Sequence, residues 1–172
     1  MKKFDFENNI GFLINRTAKA LTRAFDQELR QNVGISFGQW KVIAMLVNYN
    51  NGLSQKEIAE KLRLEGPTLI PIIDKLEKSG LVVRQTDPND RRNNRLFLTT
   101  KVENIWERMI ECGSKIKKNS LKGITPEDIS ITKDTIEKMY QNIQDVITPC
   151  YSNSETLQKN MQNDLKNKIV NE

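Results

Sequence analysis

The sequence predicts a mainly α-helical fold with one small β-wing, and three observations predict it. Apolar residues recur every three or four positions along most of the 172 residues, the spacing of amphipathic helices. Two of these runs open on Ser-x-x-Gln or Ser-x-x-Glu, the form of a capping box. The exception is residues 81–99, LVVRQTDPNDRRNNRLFLT, where two short extended runs flank Asp87-Pro88-Asn89-Asp90. That tetrapeptide is strong turn chemistry, since Pro presets φ while Asn and Asp tolerate tight corners.

The elements follow in order. Ile10, Ile14, Ala18, Leu21, Phe25 and Leu29 line one face of a long first helix. Ser36-x-x-Gln39 starts a second helix carrying Trp40, Ile43, Ala44 and Val47, and Asn50-Asn51-Gly52 breaks it. Ser54-Gln55-Lys56-Glu57 opens a third, with Ile58, Ala59 and Leu62 on one face and an end near Arg63. Gly66-Pro67 then punctuates the chain. A start at Thr68 places Pro71 in the first turn, where its missing N–H costs nothing; a start at Pro67 costs about 3 kcal/mol. This helix runs to Ser79, with Gly80 as its stop. Leu69, Ile72, Ile73 and Leu76 face inward, whereas Thr68, Pro71 and Lys75 share another face.

Val82 on one side, with Leu96 and Leu98 on the other, anchors a two-stranded ribbon with a bare, basic tip. Thr100-x-x-Glu103 opens a helix bearing Val102, Trp106, Met109, Gly113 and Ile116. Thr125-Pro126-Glu127-Asp128 starts another, followed by the stripe Ile129, Thr132, Ile136, Met139, Ile143, Val146. From Pro149 the chain turns rich in Asn, Gln, Lys and Ser, and Leu157, Met161, Leu165 and Ile169 predict one more short helix.

Composition narrows the function. The net charge is +5 and the pI about 9.2, which favours a polyanionic partner. Arg84, Arg91, Arg92 and Arg95 fall within twelve residues, opposed by Asp87 and Asp90. The chain has no histidine, which removes the commonest metal ligand and general base. No nucleophile-base pair or phosphate-cradling glycine loop is visible, so an enzyme, a metal site and a cofactor are not expected. No apolar run approaches the roughly 20 residues of a membrane span, and the first residues lack a signal-peptide apolar segment. Two cysteines, Cys112 and Cys150, fit a reducing, cytoplasmic setting.

Helix, turn, helix and basic ribbon, in that order, describe a winged helix-turn-helix. Residues 53–99 resemble the DNA-binding core of the MarR family of transcription regulators. The resemblance is carried by Leu-Ser-Gln-Lys-Glu-Ile-Ala, Pro-Thr-Leu, Asp-Lys-Leu-Glu-Lys-x-Gly-Leu-Val-x-Arg, Asp-Pro-x-Asp-Arg-Arg and Leu-Thr, in sequence. Flanking helices extend it over about residues 10–148. It implies a homodimer in which the first and last helices interlock. The expected organisation is residues 1–34 for an N-terminal dimerisation helix and 35–100 for the DNA-binding domain. Residues 101–148 then supply C-terminal dimerisation helices, and 149–172 form an extension.

The resemblance implies a repressor on a pseudo-palindromic operator in double-stranded DNA, released by a small amphipathic or aromatic effector. Arg92 is the expected minor-groove contact at the ribbon tip, oriented by Asp90, while Arg91 and Arg95 face phosphates. Arg84 braces the ribbon through Asp87 or Asp90. Ser54, Gln55 and Lys56 are candidate phosphate anchors. Pro67, Thr68, Pro71 and Lys75 form the groove-facing side of the recognition helix, with the Pro71 ring suited to a thymine methyl. Other branches of the family carry arginine at Pro71, so no guanine contact is expected there. Phe25, Trp40, Trp106 and Met109 are candidate effector-pocket residues, against plain core packing. Two alternatives remain open: a peroxide-responsive regulator acting through Cys112 or Cys150, and a protein-binding module that never touches DNA.

Overall fold

Side-chain caps start the first helices of the computed structural model, which describes residues 5–49, 52–87, 93–144 and 146. Asn9 Oδ1 accepts from the Phe12 N–H at 3.0 Å to open α1 (Ile10–Asn32). The Ser36/Gln39 capping box forms, with bonds of 3.2 and 2.9 Å, and opens α2 (Phe37–Asn48). A short strand β1 (Leu53–Ser54), not expected from the sequence, leads into α3 (Gln55–Leu62). The Ser54/Glu57 box caps α3 with bonds of 3.2 and 2.7 Å. Arg63 ends it in the left-handed region at φ 51°.

The next helix departs from expectation. α4 (Gly66–Lys78) starts two residues before Thr68, with Glu65 as a backbone cap and Pro71 inside the helix. The Glu65 carbonyl accepts from both Thr68 and Leu69, at 3.0 and 3.2 Å, which closes the first turn early. Pro67 then occupies an early position that needs no donor. Pro71 removes the donor that would meet the Pro67 carbonyl. Leu69, Ile73 and Leu76, all fully buried, hold the helix to the core across that gap. At the far end Gly80 takes φ +70°, and Leu81 N–H returns to the Leu76 carbonyl at 3.0 Å.

That tight exit feeds the ribbon, β2 (Val82–Thr86) and β3 (Asn94–Leu98), paired antiparallel from Val82↔Leu98 to Thr86↔Asn94. β1 adds to the other edge of β3 through Leu53↔Leu96, so the sheet order is β1-β3-β2. The side-chain cap expected at Thr100 does not form: a 3₁₀ turn, Thr100–Val102, precedes α5 (Glu103–Ser120).

One core joins these elements. Val42, Ile43, Leu46, Ile58, Leu69, Ile73, Leu76, Val82 and Leu96 are fully buried, together with Leu29 of α1 and Met109 of α5. Gly113 lets the Phe25 ring lie close to α5; a Cβ there would stand 3.4 Å from Phe25 Cζ. Asp26 clamps α1 to the start of α2, accepting from the Phe37 N–H at 2.7 Å and from Arg30 Nε at 2.6 Å. The Arg30 hydrogen bond first, and the Phe37 N–H next, hold the Asp26 carboxyl below its ordinary value of 3.8.

The chain divides into two units, Met1–Lys122 and Gly123–Glu172. In the second, residues 126–144 form a helix α6. Thr125 caps it, its hydroxyl accepting from the Asp128 N–H at 3.1 Å. Ile131, Ile136 and Ile143 on α6 are exposed, as is Val146. The helix expected over Leu157–Ile169 lies outside the described residues.

Two outcomes follow from this packing. Leu76→Ala, which empties a fully buried site, should lower the unfolding free energy by about 3 kcal/mol in chemical denaturation followed by circular dichroism. The Asp26 carboxyl is lowered in the folded state, so its contribution to stability is complete above 3.8 and is lost as pH falls through the folded value. Acidification below about pH 4 should therefore destabilise the chain, and Asp26→Asn should make that pH dependence shallower.

Candidate nucleic-acid interface

The buried row Leu69, Ile73, Leu76 fixes how α4 presents its outer side. With 3.6 residues per turn, the opposite face carries Pro67, Thr68, Pro71, Lys75 and Lys78. All five are exposed. Lys78, not singled out from the sequence, continues the row three residues beyond Lys75, and that spacing was there to be read. Next to this face, the N-terminus of α3 presents Lys56, which is exposed, and Gln55, which is half-buried. The Ser54 hydroxyl is engaged as the cap of α3. Lys56 pairs loosely with Glu60 at 3.9 Å, both largely exposed, a contact of small energetic weight.

Two arginines of the ribbon, Arg84 and Arg95, are engaged by acceptors of the same chain, Arg95 with its side chain still 39% exposed. Arg84 was expected to meet Asp87 or Asp90; it turns back instead to α4. Its Nη2 donates to Asp74 Oδ1 at 2.5 Å, and its Nη1 donates to Glu77 Oε2. Burial works against the Arg84 charge, but Asp74 and Glu77 together outweigh it and raise its pKa above the ordinary value. The reason is the tight turn at Gly80, which lays β2 alongside the Asp74/Glu77 flank of the helix.

Arg95 was expected to face phosphate. Its Nε donates to Asp87 Oδ2 at 2.5 Å and its Nη1 to the Gly52 carbonyl at 2.6 Å, with Glu57 at 4.0 Å. Asp87 is a buried carboxylate, 6% exposed, so this pairing answers the cost of burying its charge. The ribbon is thereby tied, near its Thr86/Asn94 end, to β1 and to the cap of α3. The Asp87 N–H also closes the hairpin onto the Asn93 carbonyl at 2.9 Å. Asp90, Arg91 and Arg92 lie outside the described residues.

Among the described residues, the four effector-pocket candidates fall in different surroundings. Met109 is fully buried in the core, and Trp106 is half-buried against it. Phe25, Phe37 and Trp40 form an aromatic cluster, Phe37 stacked on Trp40 at 5.4 Å and 18°. Phe25 and Phe37 line a groove of about 300 Å³ between α1, α2 and α5, with Thr22, Gly113 and Ile116. Trp40 lines a different one with Met45, Tyr49 and Leu62. Cys112 is buried, and burial, then the Glu28 charge, push its thiol up from 9.0. A thiol so held is slow to oxidise. Cys150 lies outside the described residues. Among the described residues no group of His, Cys, Asp and Glu is arranged to hold a metal, and no helix is long and apolar enough to cross a membrane.

Residues 35–93 match the MarR family. Solved structures with the same fold include a MarR-family protein of Listeria monocytogenes complexed with a 26mer DNA, 26% identical, with a TM-score of 0.69. That match covers 80% of this chain and 91% of the other. A MarR transcriptional regulator from Methanosarcina mazei is 25% identical over 80% of this chain and 97% of its own, with a TM-score of 0.69. The PcaV regulator of Streptomyces coelicolor, solved with its natural ligand, shares the fold at 21% identity and a TM-score of 0.70. It covers 82% of this chain and 98% of its own. The family match falls on α2, the helix pair and β2, and ends just before β3; the chain carries a winged helix-turn-helix domain that matches the MarR family.

Proposed function

We propose that this chain is a homodimeric, sequence-specific DNA-binding regulator that works in the cytoplasm as an effector-released repressor. The observation that carries the DNA reading is the outer face of α4. Pro67, Thr68, Pro71, Lys75 and Lys78 lie exposed there, beside a ribbon whose connection holds Arg91 and Arg92. That face suits a major groove, with the helix N-terminus nearest the bases. The Pro71 ring is placed to meet a thymine methyl, and Lys56, Lys75 and Lys78 to meet phosphates. Arg92 is the minor-groove contact, with Asp90 orienting it and Arg91 on the backbone. Arg95 serves to brace the ribbon rather than to meet phosphate, because its Nε and Nη1 are engaged by Asp87 and the Gly52 carbonyl.

A second copy is the partner that the flanking helices call for. α1 exposes Ile10, Phe12 and Leu21, and α6 exposes Ile131, Ile136 and Ile143. Large apolar side chains on both flanking helices are surface that a partner would cover. Two copies would set two recognition helices about 34 Å apart along one face of the duplex. The groove at Phe25 and Phe37 is the place for a small amphipathic or aromatic effector. An effector that binds unequally to two spacings of the reading heads shifts the population between them.

Fluorescence anisotropy against the duplex upstream of its own gene tests the DNA reading. Arg92→Ala should weaken binding about tenfold or more, about 1.4 kcal/mol or above, while Lys159→Ala leaves it unchanged. Lys75→Ala should reduce the salt slope of log K by about 1. Equal binding by all four proteins would refute the assignment. Sedimentation velocity at micromolar concentration should give a species of twice the 19.9 kDa chain mass, and a monomer would remove the dimer.

A further inference from the structure

Arg84 sits beneath two carboxylates rather than above them. Its side chain is 19% exposed, whereas those of Asp74 and Glu77 are 55% and 42% exposed. Asp74 is three residues past Pro71, about 60° around the helix axis, and Glu77 is a further 60° toward the buried side. Asp74 therefore borders the face proposed to enter the major groove beside Lys78, and Glu77 lies on its flank, while Lys75 stands on the other side of Pro71. Two carboxylates cancel two lysines there. Near a polyanion, within a screening length of about 10 Å, that flank without Arg84 offers no net attraction.

We propose that Arg84 is a charge-cancelling residue of the DNA-reading surface, acting through Asp74 and Glu77 rather than by touching DNA. The proposal rests on the DNA-binding reading above. One guanidinium shared by both carboxylates leaves them a single net negative charge, so with Lys75 and Lys78 the surface keeps one uncompensated positive charge instead of none. The alternative is that the same ion pairs are a mechanical brace, holding β2 against α4 so that the ribbon keeps its aim. The two ideas predict opposite signs for one variant, Asp74→Asn with Glu77→Gln. Removing the carboxylates takes away what Arg84 cancels, so a charge-cancelling role makes DNA binding stronger. A brace needs those same carboxylates, so its loss makes binding weaker.

The test measures full-length protein binding a fluorescein-labelled duplex from its own upstream region, at about 50 mM and about 200 mM salt. Arg84→Gln should bind about tenfold more weakly at the lower salt, with a smaller loss at the higher. The D74N/E77Q double variant should bind at least as tightly as the unmodified protein. The triple variant R84Q/D74N/E77Q should recover to within about threefold of it. The D74N/E77Q arm retains Arg84 and near-isosteric amides, so it decides the matter even if Arg84→Gln fails to fold. Weaker binding by D74N/E77Q, or a triple variant as weak as R84Q, overturns charge cancellation in favour of the brace. A different result, no salt-dependent binding by the unmodified protein, overturns the DNA reading itself and this inference with it.

Discussion

Burial of one row of side chains on α4 is the constraint on which the rest depends. Leu69, Ile73 and Leu76 are each fully buried against a core shared with α2, α3 and the ribbon. A helix locked by that row has no freedom to rotate, so Pro67, Thr68, Pro71 and Lys75 are committed to solvent. The same burial overrides a local preference. Proline inside a helix costs about 3 kcal/mol, yet α4 runs through Pro71. Three buried aliphatic side chains, each contributing about 1.5 to 3 kcal/mol, outweigh that cost.

Electrostatics then ties two arginines of the ribbon to acceptors of the same chain. Arg84 is tied to α4 and Arg95 to Asp87 and the Gly52 carbonyl. These pairings join three elements that the apolar core alone would only bring near one another. Arg95 reaches the carbonyl before β1 and comes within 4.0 Å of Glu57, whose carboxylate caps α3. The aim of the ribbon is thus coupled to the start of the helix pair. Arginine suits both places because its planar fork can serve two acceptors at once.

Much of this was legible beforehand. Capping boxes at Ser36 and Ser54 are local chemistry, settled within four residues, and both form. The inward row of α4 and the strand pattern at Val82, Leu96 and Leu98 are periodic signals, which survive without knowledge of neighbours. The partners of Arg84 and Arg95 were not legible. Asp87 is the aspartate nearest Arg84 in sequence, and only the turn at Gly80 brings Asp74 and Glu77 closer in space. β1 is two residues long, too short for any periodicity, and it carries the segment that meets Arg95. Which aromatic residues share a groove was not legible for a related reason, since helical spacing places Trp106 and Met109 on one stripe without saying what covers it.

The sequence by itself determined the helix starts, the inner and outer faces of α4, the hairpin and its basic character, because each rests on spacing or on bonds between near neighbours. Tertiary structure decided which acceptors Arg84 and Arg95 meet, how early α4 begins, and which aromatic residues line a groove. Those outcomes depend on distances between residues far apart in the chain, and such distances exist only once the core has closed.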